Sequence, residues 1–161
     1  MSRACIFLDR DGVINVKPAP GEYIRTWQEF RFLPNITDWI RLFNTLGYLV
    51  LVVTNQRGVA LGKIRPEDLE EIHTNMAREL AKDGARIDDI FCCPHHENAC
   101  ECRKPRPGLV RAAVAKWDLD LERSLLIGDS ASDEELARNC GVRFLMVRDG
   151  RIVNRNTQNQ G

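Results

Sequence analysis

The sequence predicts an α/β fold, a three-layer αβα sandwich built on a parallel sheet of about five strands. Short apolar segments alternate with segments of helical periodicity, which is typical of βα units around a parallel sheet. The chain has 161 residues, of which 43% are hydrophobic and 29% are charged, so it suits one globular domain. Acidic or polar residues directly follow three of the apolar segments, as expected for a sheet that binds a ligand at its carboxyl edge.

The individual elements follow from apolar patterns and from the residues that end them. Short apolar segments, bounded by polar residues or glycine, predict buried strands. These strands are 4–8, 48–53, 89–93, 124–127 and 142–147. Apolar residues at helical spacing predict four helices between them. The helices run over 36–46, from Pro66 to near Gly84, from Pro107 to about 117, and over 132–140.

Charge and hydropathy exclude several classes of partner. The 23 Lys and Arg residues balance 23 Asp and Glu residues, which argues against binding nucleic acid or an anionic membrane by bulk charge. No segment approaches the roughly 18 apolar residues of a membrane span, and no secretory signal is visible. We therefore expect a cytoplasmic monomer with reduced cysteines, no nucleic-acid partner and no membrane partner. We expect residues 1–153 to form a single domain with a loop at 92–107, and 154–161 to be a disordered polar tail.

The acidic residues at the strand ends predict a cation site and phosphoryl transfer. Asp9 and Asp11 follow the first strand, and Asp129 follows the fourth. Acidic groups that converge repel one another unless a cation is present, and oxygen ligands favour Mg²⁺. One carboxylate can attack phosphorus, while a second carboxylate two residues on protonates the leaving oxygen and later activates water. The alternative is that these residues are solvated loop acids or helix caps.

A cysteine-rich segment predicts a structural zinc site. Three thiolates and one imidazole form a closed tetrahedral set for Zn²⁺. The predicted ligands are Cys93, His95, Cys100 and Cys102, with Cys92 and His96 as possible replacements for their neighbours. A nucleophilic cysteine beside a histidine, or a disulfide, are the alternatives. Of the remaining residues of these types, Cys5 and Cys140 are expected in the core, and His73 is expected to be solvated.

Four motifs resemble those of the haloacid dehalogenase superfamily. In chain order they are FLDRDGVIN at 7–15, VTNQ at 53–56, RKPRPG at 103–108 and GDSASD at 128–133. The resemblance implies a Rossmann-like fold with Asp9 as nucleophile and Asp11 as general acid and base. It also implies Mg²⁺ bound by Asp9, the Asp11 main-chain carbonyl and Asp129. The residues expected to bind the phosphoryl group or the substrate are Thr54, Asn55, Gln56, Arg57, Arg103 and Lys104.

The zinc loop narrows the resemblance to one subgroup. Its pattern, CPH followed by CxCRKP, is similar to that of phosphatases acting on D-glycero-D-manno-heptose 1,7-bisphosphate and on histidinol phosphate. The resemblance implies a capless phosphatase with an open pocket for a small phosphorylated metabolite. A sugar bisphosphate is the expected substrate, and histidinol phosphate is the alternative.

Five basic residues lie on loops at the same end of the predicted sheet. They could bind a second phosphate of the substrate, or they could balance the charge of the acidic cleft. They are Arg10, Lys17, Arg57, Arg103 and Arg106, and Arg103 is the best placed because it adjoins Lys104. Two other functions stay open, a nucleic-acid-binding zinc module and a phospho-accepting signalling domain. The neutral net charge disfavours the first of these.

Overall fold

A six-stranded sheet forms the centre of the molecule, and four helices cover it. The computed structural model describes residues 1–153. The strands are β1 (Cys5–Leu8), β2 (Leu49–Asn55), β3 (Asp89–Cys93), β4 (Leu125–Gly128), β5 (Arg143–Arg148) and β6 (Arg151–Ile152). The helices are α1 (Ile36–Thr45), α2 (Pro66–Lys82), α3 (Gly108–Trp117) and α4 (Ala131–Cys140), and a 3₁₀ turn spans Trp27–Glu29.

The predicted α/β architecture is confirmed, with ends displaced by one or two residues. β1 to β5 run parallel in the order β3-β2-β1-β4-β5. β6 was not predicted, and it adds a short antiparallel edge strand. The connecting residues Asp149 and Gly150 have φ values of 50° and 75°, which an Asp-Gly hairpin turn requires. The Asp-Gly pair is the sequence signal from which β6 could have been found.

Two apolar layers, one on each face of the sheet, hold the helices in place. Ile6 and Leu8 of β1 point into the layer that contains the buried faces of α1 and α2. Cys5 and Phe7 point into the other layer, beneath α3 and α4. Both faces of β1 are therefore buried, which explains its continuous apolar sequence. The prediction that Cys5 packs in the core is confirmed.

The first long loop is anchored by three aromatic side chains. Phe30 stacks on Trp27 with ring centroids 5.0 Å apart and meets Phe32 edge to face at 5.0 Å. Phe30 is buried, and its two partners pack against the α1 and α2 side of the core. These contacts fix the segment that leaves β1 and carries the first acidic residues.

The strand order places a crevice at the carboxyl ends of β1 and β4. The chain proceeds from β1 outward to β3 on one side, and then crosses to β4 and β5 on the other. Loops at such a reversal diverge and leave room for a ligand. Within residues 1–153, no helix is both long and apolar enough to cross a bilayer. The predicted disordered tail, 154–161, lies outside the described residues.

Candidate active site

Lys104 lies at the centre of a buried group of charges at the carboxyl ends of the strands. Its Nζ is 3.0 Å from Asp9 Oδ1 and 2.7 Å from Asp133 Oδ1. It also donates to the main-chain carbonyl of Val53 at 3.0 Å. Asp9, Lys104 and Asp133 are 8%, 5% and 0% exposed, so the three charges interact with little screening by water.

Burial and mutual attraction set the protonation of this group. Burial raises the pKa of Asp9, whereas the Lys104 ammonium acts in the opposite direction and favours the Asp9 carboxylate. Burial alone would lower the pKa of Lys104, but the carboxylates of Asp9 and Asp133 raise it above its ordinary value. Burial likewise opposes ionisation of Asp133, yet the Lys104 ammonium holds the pKa of Asp133 below its usual value. Lys104 is therefore a permanent cation beside Asp9.

Asp129 follows β4 and completes an oxygen-rich pocket. Its Oδ2 accepts from the exposed Lys17 ammonium at 2.8 Å. Its Oδ1 is buried and has no hydrogen-bond partner among residues 1–153, an arrangement that needs a ligand or water to be stable. Gly12 has a φ of 87°, and a Cβ there would overlap the Asp129 carboxylate. The carboxylates of Asp9, Asp129 and Asp133 place oxygens within 4.8 Å of one another, which fits a hard divalent cation.

Asp133 is better suited to holding its neighbours than to binding a cation. Its Oδ1 accepts from Lys104, and its Oδ2 accepts from the Asp129 main-chain N–H at 3.2 Å and the Ser130 hydroxyl at 2.9 Å. Ser130 Oγ in turn accepts from the Asp133 main-chain N–H at 3.3 Å and so begins α4. Gly128 leaves space for this carboxylate, because a Cβ there would meet it.

The Asp11 carboxylate is held by a separate set of amide and guanidinium donors. Its Oδ1 accepts from Arg10 Nε at 3.0 Å, Arg10 Nη2 at 2.8 Å and Asn15 Nδ2 at 2.9 Å. Its Oδ2 accepts from Gln56 Nε2 at 3.3 Å. Oδ1 is thus saturated, whereas Oδ2 can still take part in a further hydrogen bond. Asn15 is buried, and its part in this network was not predicted.

The structure decides one alternative on this network and overturns one expectation. Arg10 was expected either to hold a second phosphate or to balance the charge of the acidic cleft, and its fully buried side chain pairs with Asp11, which fits the second role. His73 was expected to be solvated, but its Nε2 lies 3.2 Å from Arg10 Nη1. Burial and the nearby Arg10 cation lower the pKa of His73 to about 3. The pairing joins residues 63 positions apart, and helical periodicity carries no signal for it.

The polar residues at the end of β2 connect these two groups. Gln56 Nε2 donates to Thr54 Oγ1 at 2.9 Å as well as to Asp11. Asn55 accepts from the Lys104 main-chain N–H at 3.0 Å and donates to its carbonyl at 3.3 Å. Asn55 therefore fixes the backbone of Lys104, and both polar atoms of the Asn55 side chain are used in these hydrogen bonds.

The zinc loop brings the four predicted ligands together. Cys93 Sγ lies 3.5 Å from both His95 Nδ1 and Cys100 Sγ, and His95 Nδ1 lies 3.2 Å from Cys102 Sγ. All four atoms lie within 4.8 Å of one another. Because Zn–S bonds of about 2.3 Å in a tetrahedron separate sulfurs by about 3.8 Å, the set fits Zn²⁺. The possible replacements Cys92 and His96 are not part of this cluster.

Glu97, on the zinc loop, faces two of the predicted substrate-binding arginines. Its Oε1 is 2.5 Å from Arg57 Nη1 and 3.8 Å from Arg103 Nη2. Arg103 Nη1 is buried without a hydrogen-bond partner in the described part of the chain. Arg106 instead donates to the Cys100 carbonyl at 2.6 Å and to Asn98 Oδ1 at 3.0 Å, so it braces the zinc loop.

Comparison with known proteins places this site in a family of phosphatases. A family model described as HAD-hydrolase-like matches residues 101–160. A D-glycero-beta-D-manno-heptose-1,7-bisphosphate 7-phosphatase of Rhodopseudomonas palustris is 44% identical over 148 residues, covering 87% of this chain and 81% of that protein. A D-glycero-alpha-D-manno-heptose-1,7-bisphosphate 7-phosphatase of Mycobacterium tuberculosis is 43% identical over 137 residues, covering 84% of this chain and 72% of that protein.

A solved structure agrees with these sequence matches. The D,D-heptose 1,7-bisphosphate phosphatase of B. bronchiseptica, complexed with magnesium and phosphate, superposes with a TM-score of 0.85 and 35% identity. The match covers 98% of this chain and 87% of that one. The chain therefore belongs to the haloacid dehalogenase-like family of hydrolases that includes the heptose-1,7-bisphosphate 7-phosphatases.

Proposed function

We propose that this protein is a Mg²⁺-dependent phosphomonoester hydrolase that removes the 7-phosphate of a D-glycero-D-manno-heptose 1,7-bisphosphate. The observation that carries the proposal is the buried Asp9 carboxylate beside the Lys104 ammonium, at the carboxyl end of β1 and two residues before Asp11. This is the arrangement that transfer of a phosphoryl group to a carboxylate needs, because nucleophile and countercharge are fixed before substrate binds. The named relatives support the choice of substrate.

In the first half-reaction, a carboxylate oxygen of Asp9 attacks phosphorus and forms an aspartyl-phosphate. The bond between phosphorus and the sugar oxygen breaks, and the electron pair leaves with that oxygen. Asp11 in its carboxylic acid form gives its proton to the leaving oxygen, so the sugar departs as an alcohol. Lys104 and the Thr54 hydroxyl stabilise the charge on the equatorial phosphoryl oxygens.

In the second half-reaction, the Asp11 carboxylate takes a proton from water as the water oxygen attacks phosphorus. The bond between phosphorus and the Asp9 oxygen breaks, which regenerates the Asp9 carboxylate and gives inorganic phosphate. Asp11 ends protonated and ready for the next substrate. A single side chain thus serves as acid and then as base, which its unsaturated Oδ2 allows.

The Mg²⁺ ion would be held by Asp9, Asp129 and the Asp11 main-chain carbonyl. When bound, it supplies positive charge beside the phosphoryl oxygens. The unpartnered, buried Oδ1 of Asp129 supports this assignment. Zn²⁺ on Cys93, His95, Cys100 and Cys102 would be structural, since the four protein ligands close its coordination sphere.

Arg57 and Arg103 are proposed to bind the second phosphate of the substrate. They lie around a common carboxylate, that of Glu97, and a phosphate dianion is a stronger partner for two guanidinium groups. The zinc loop adjoins β2, because the Cys93 carbonyl accepts from the Gln56 main-chain N–H at 2.7 Å. A second phosphate held there would orient the first toward Asp9.

We also propose that residues 1–153 act as a single domain, and that the protein works as a cytoplasmic monomer without nucleic-acid or membrane partners. The single sheet with one core layer on each face supports the first statement. The neutral net charge and the cluster of thiol ligands, which needs a reducing compartment, support the second.

The experiment is a measurement of phosphate release by the full chain in Mg²⁺, with both anomers of heptose 1,7-bisphosphate and with histidinol phosphate. We expect the highest kcat/KM for one heptose anomer, and no release by a folded Asp9→Asn variant. A heptose rate no better than that for a generic aryl phosphate would reject the proposed substrate. Turnover retained by Asp9→Asn would reject the covalent mechanism.

A further inference from the structure

The contact between Arg10 and His73 fixes the chemical state of the histidine. A guanidinium group has donors only, so the atom it meets at 3.2 Å, His73 Nε2, has to accept. His73 is therefore a neutral imidazole whose Nδ1 carries the proton. A helix residue of α2 thereby reaches across to the loop after β1.

Arg10 is held from opposite sides by this histidine and by Asp11. Its Nε and Nη2 donate to Asp11 Oδ1, while Nη1 faces His73. The guanidinium carbon lies 5.9 Å from the centroid of the Phe30 ring, and the whole residue is 0% exposed. Because the guanidinium group is planar and rigid, fixing Nη1 also fixes the edge that meets Asp11.

We propose that His73 is a positioning residue that acts through Arg10 on the general acid and base Asp11. Without the acceptor at His73, the guanidinium plane can rotate, and Oδ2 of Asp11 no longer points steadily at the leaving oxygen. This inference rests on the proposed function, and it adds a residue of α2 that is not among the proposed substrate-binding or metal-binding residues. Asn15 and Gln56 hold the carboxylate from other directions, so the loss is partial.

The consequence differs between substrates. Protonation by Asp11 matters most when the leaving group is a poor one, such as the alcohol of a sugar, and little when it is a stabilised phenolate. A misplaced Asp11 therefore steepens the dependence of kcat/KM on the leaving group. A general loosening of the fold would lower the rates with all substrates by the same factor.

The test compares His73→Leu and His73→Ala, which lack the acceptor, with His73→Gln, whose amide oxygen can replace Nε2. Thr74→Ala, at an exposed neighbouring position of α2, is the matched control. The probes are p-nitrophenyl phosphate and a simple alkyl phosphate, with Asp11→Asn as reference. We expect kcat/KM of the first two variants to fall about 10- to 100-fold with the alkyl phosphate and less than about 3-fold with p-nitrophenyl phosphate.

His73→Gln should recover most of the alkyl phosphate activity, and Thr74→Ala should match the wild type with both probes. Equal losses with both probes, or no recovery in His73→Gln, would overturn the inference while leaving the proposed function intact. The proposed function fails separately if the wild type and Asp9→Asn release phosphate alike. Circular dichroism shows which variants fold, and either variant without the acceptor suffices for the comparison.

Discussion

Replacing Lys104 by methionine tests whether the buried charges hold the active site together. Methionine keeps most of the volume of the side chain but removes the ammonium group. The change leaves the carboxylates of Asp9 and Asp133 buried without their common partner, at positions that were 3.0 and 2.7 Å from Nζ. It also leaves the Val53 carbonyl without the ammonium donor that it now accepts from.

The size of the effect follows from these distances. At an effective dielectric constant near 20, each pair attracts by about 6 kcal/mol, and the cost of burying the ammonium offsets much of this gain. Removing one partner of a buried ion pair costs about 3–5 kcal/mol, because the remaining charge stays buried. For a domain of this size, that corresponds to a fall in Tm of roughly 6–20 °C.

The assay is equilibrium unfolding in urea, followed by far-UV circular dichroism, with all variants in one Mg²⁺-free buffer. Lys82→Met is the matched control, because Lys82 is exposed and, within residues 1–153, its ion pair is with Glu79 on its own helix. We expect that control to change the free energy of unfolding by less than about 0.5 kcal/mol. Adding Asp133→Asn to Lys104→Met should restore about 1–2 kcal/mol, since one of the two stranded charges is removed.

Two results would refute this reasoning. One is a Lys104→Met protein whose free energy of unfolding lies within about 1 kcal/mol of the wild-type value, because a change that small is what the loss of an exposed ion pair would cause. The other is an Asp133→Asn change that destabilises the Lys104→Met background as much as it destabilises the wild type, since the two residues would then be uncoupled.

Three further predictions concern the network, the zinc loop and the substrate. The pKa of His73 is about 3 in the folded protein and 6.5 in its ordinary state, so the unfolded chain binds the proton first and stability is lost as the pH falls below about 6.5. In His73→Gln, the loss of unfolding free energy between pH 7.5 and 5 should therefore be smaller by about 1–2 kcal/mol. An unchanged pH profile would contradict the neutral histidine. Cys102→Ser should lose the bound zinc in metal analysis and lower Tm by about 5–10 °C, unlike Cys140→Ser, and zinc retained in full would contradict the ligand set. Glu97→Gln should lower KM for the bisphosphate about two- to fivefold at constant kcat, since it removes the competing carboxylate that faces Arg57 and Arg103. An equal change in KM with a monophosphate would count against a second phosphate site.

The acidic residues of the site could be predicted from the sequence because the ends of buried strands can be predicted from it. Asp9 and Asp129 directly follow buried strands, and parallel strands all end at one edge of the sheet. Their side chains therefore had to converge, whatever the details of packing. Lys104 was found from its motif, and the structure places it between Asp9 and Asp133.

The zinc ligands were accessible for a different reason, which is their short separation along the chain. Four ligands within ten residues can meet without the help of a distant element. Which of Cys92 and Cys93 is the zinc ligand depends on the side of β3 that each one faces. Cys93 faces the core on β3, and its thiol meets Cys100, whereas Cys92 lies on the other side of the strand.

The sequence by itself determined the α/β fold, the set of acids at one edge of the sheet and the composition of the zinc loop, because each depends on local pattern and strand polarity. Only the tertiary structure decided that Arg10 is a buried partner of Asp11, and that His73 supports it from α2. It also decided that Asn55 holds the Lys104 backbone, and that Glu97 lies against Arg57. Except for the Arg10–Asp11 pair, these contacts join residues that are about 40 or more positions apart in the chain. They could not be predicted from local pattern, because the direction of a side chain between packed elements is fixed by the packing itself.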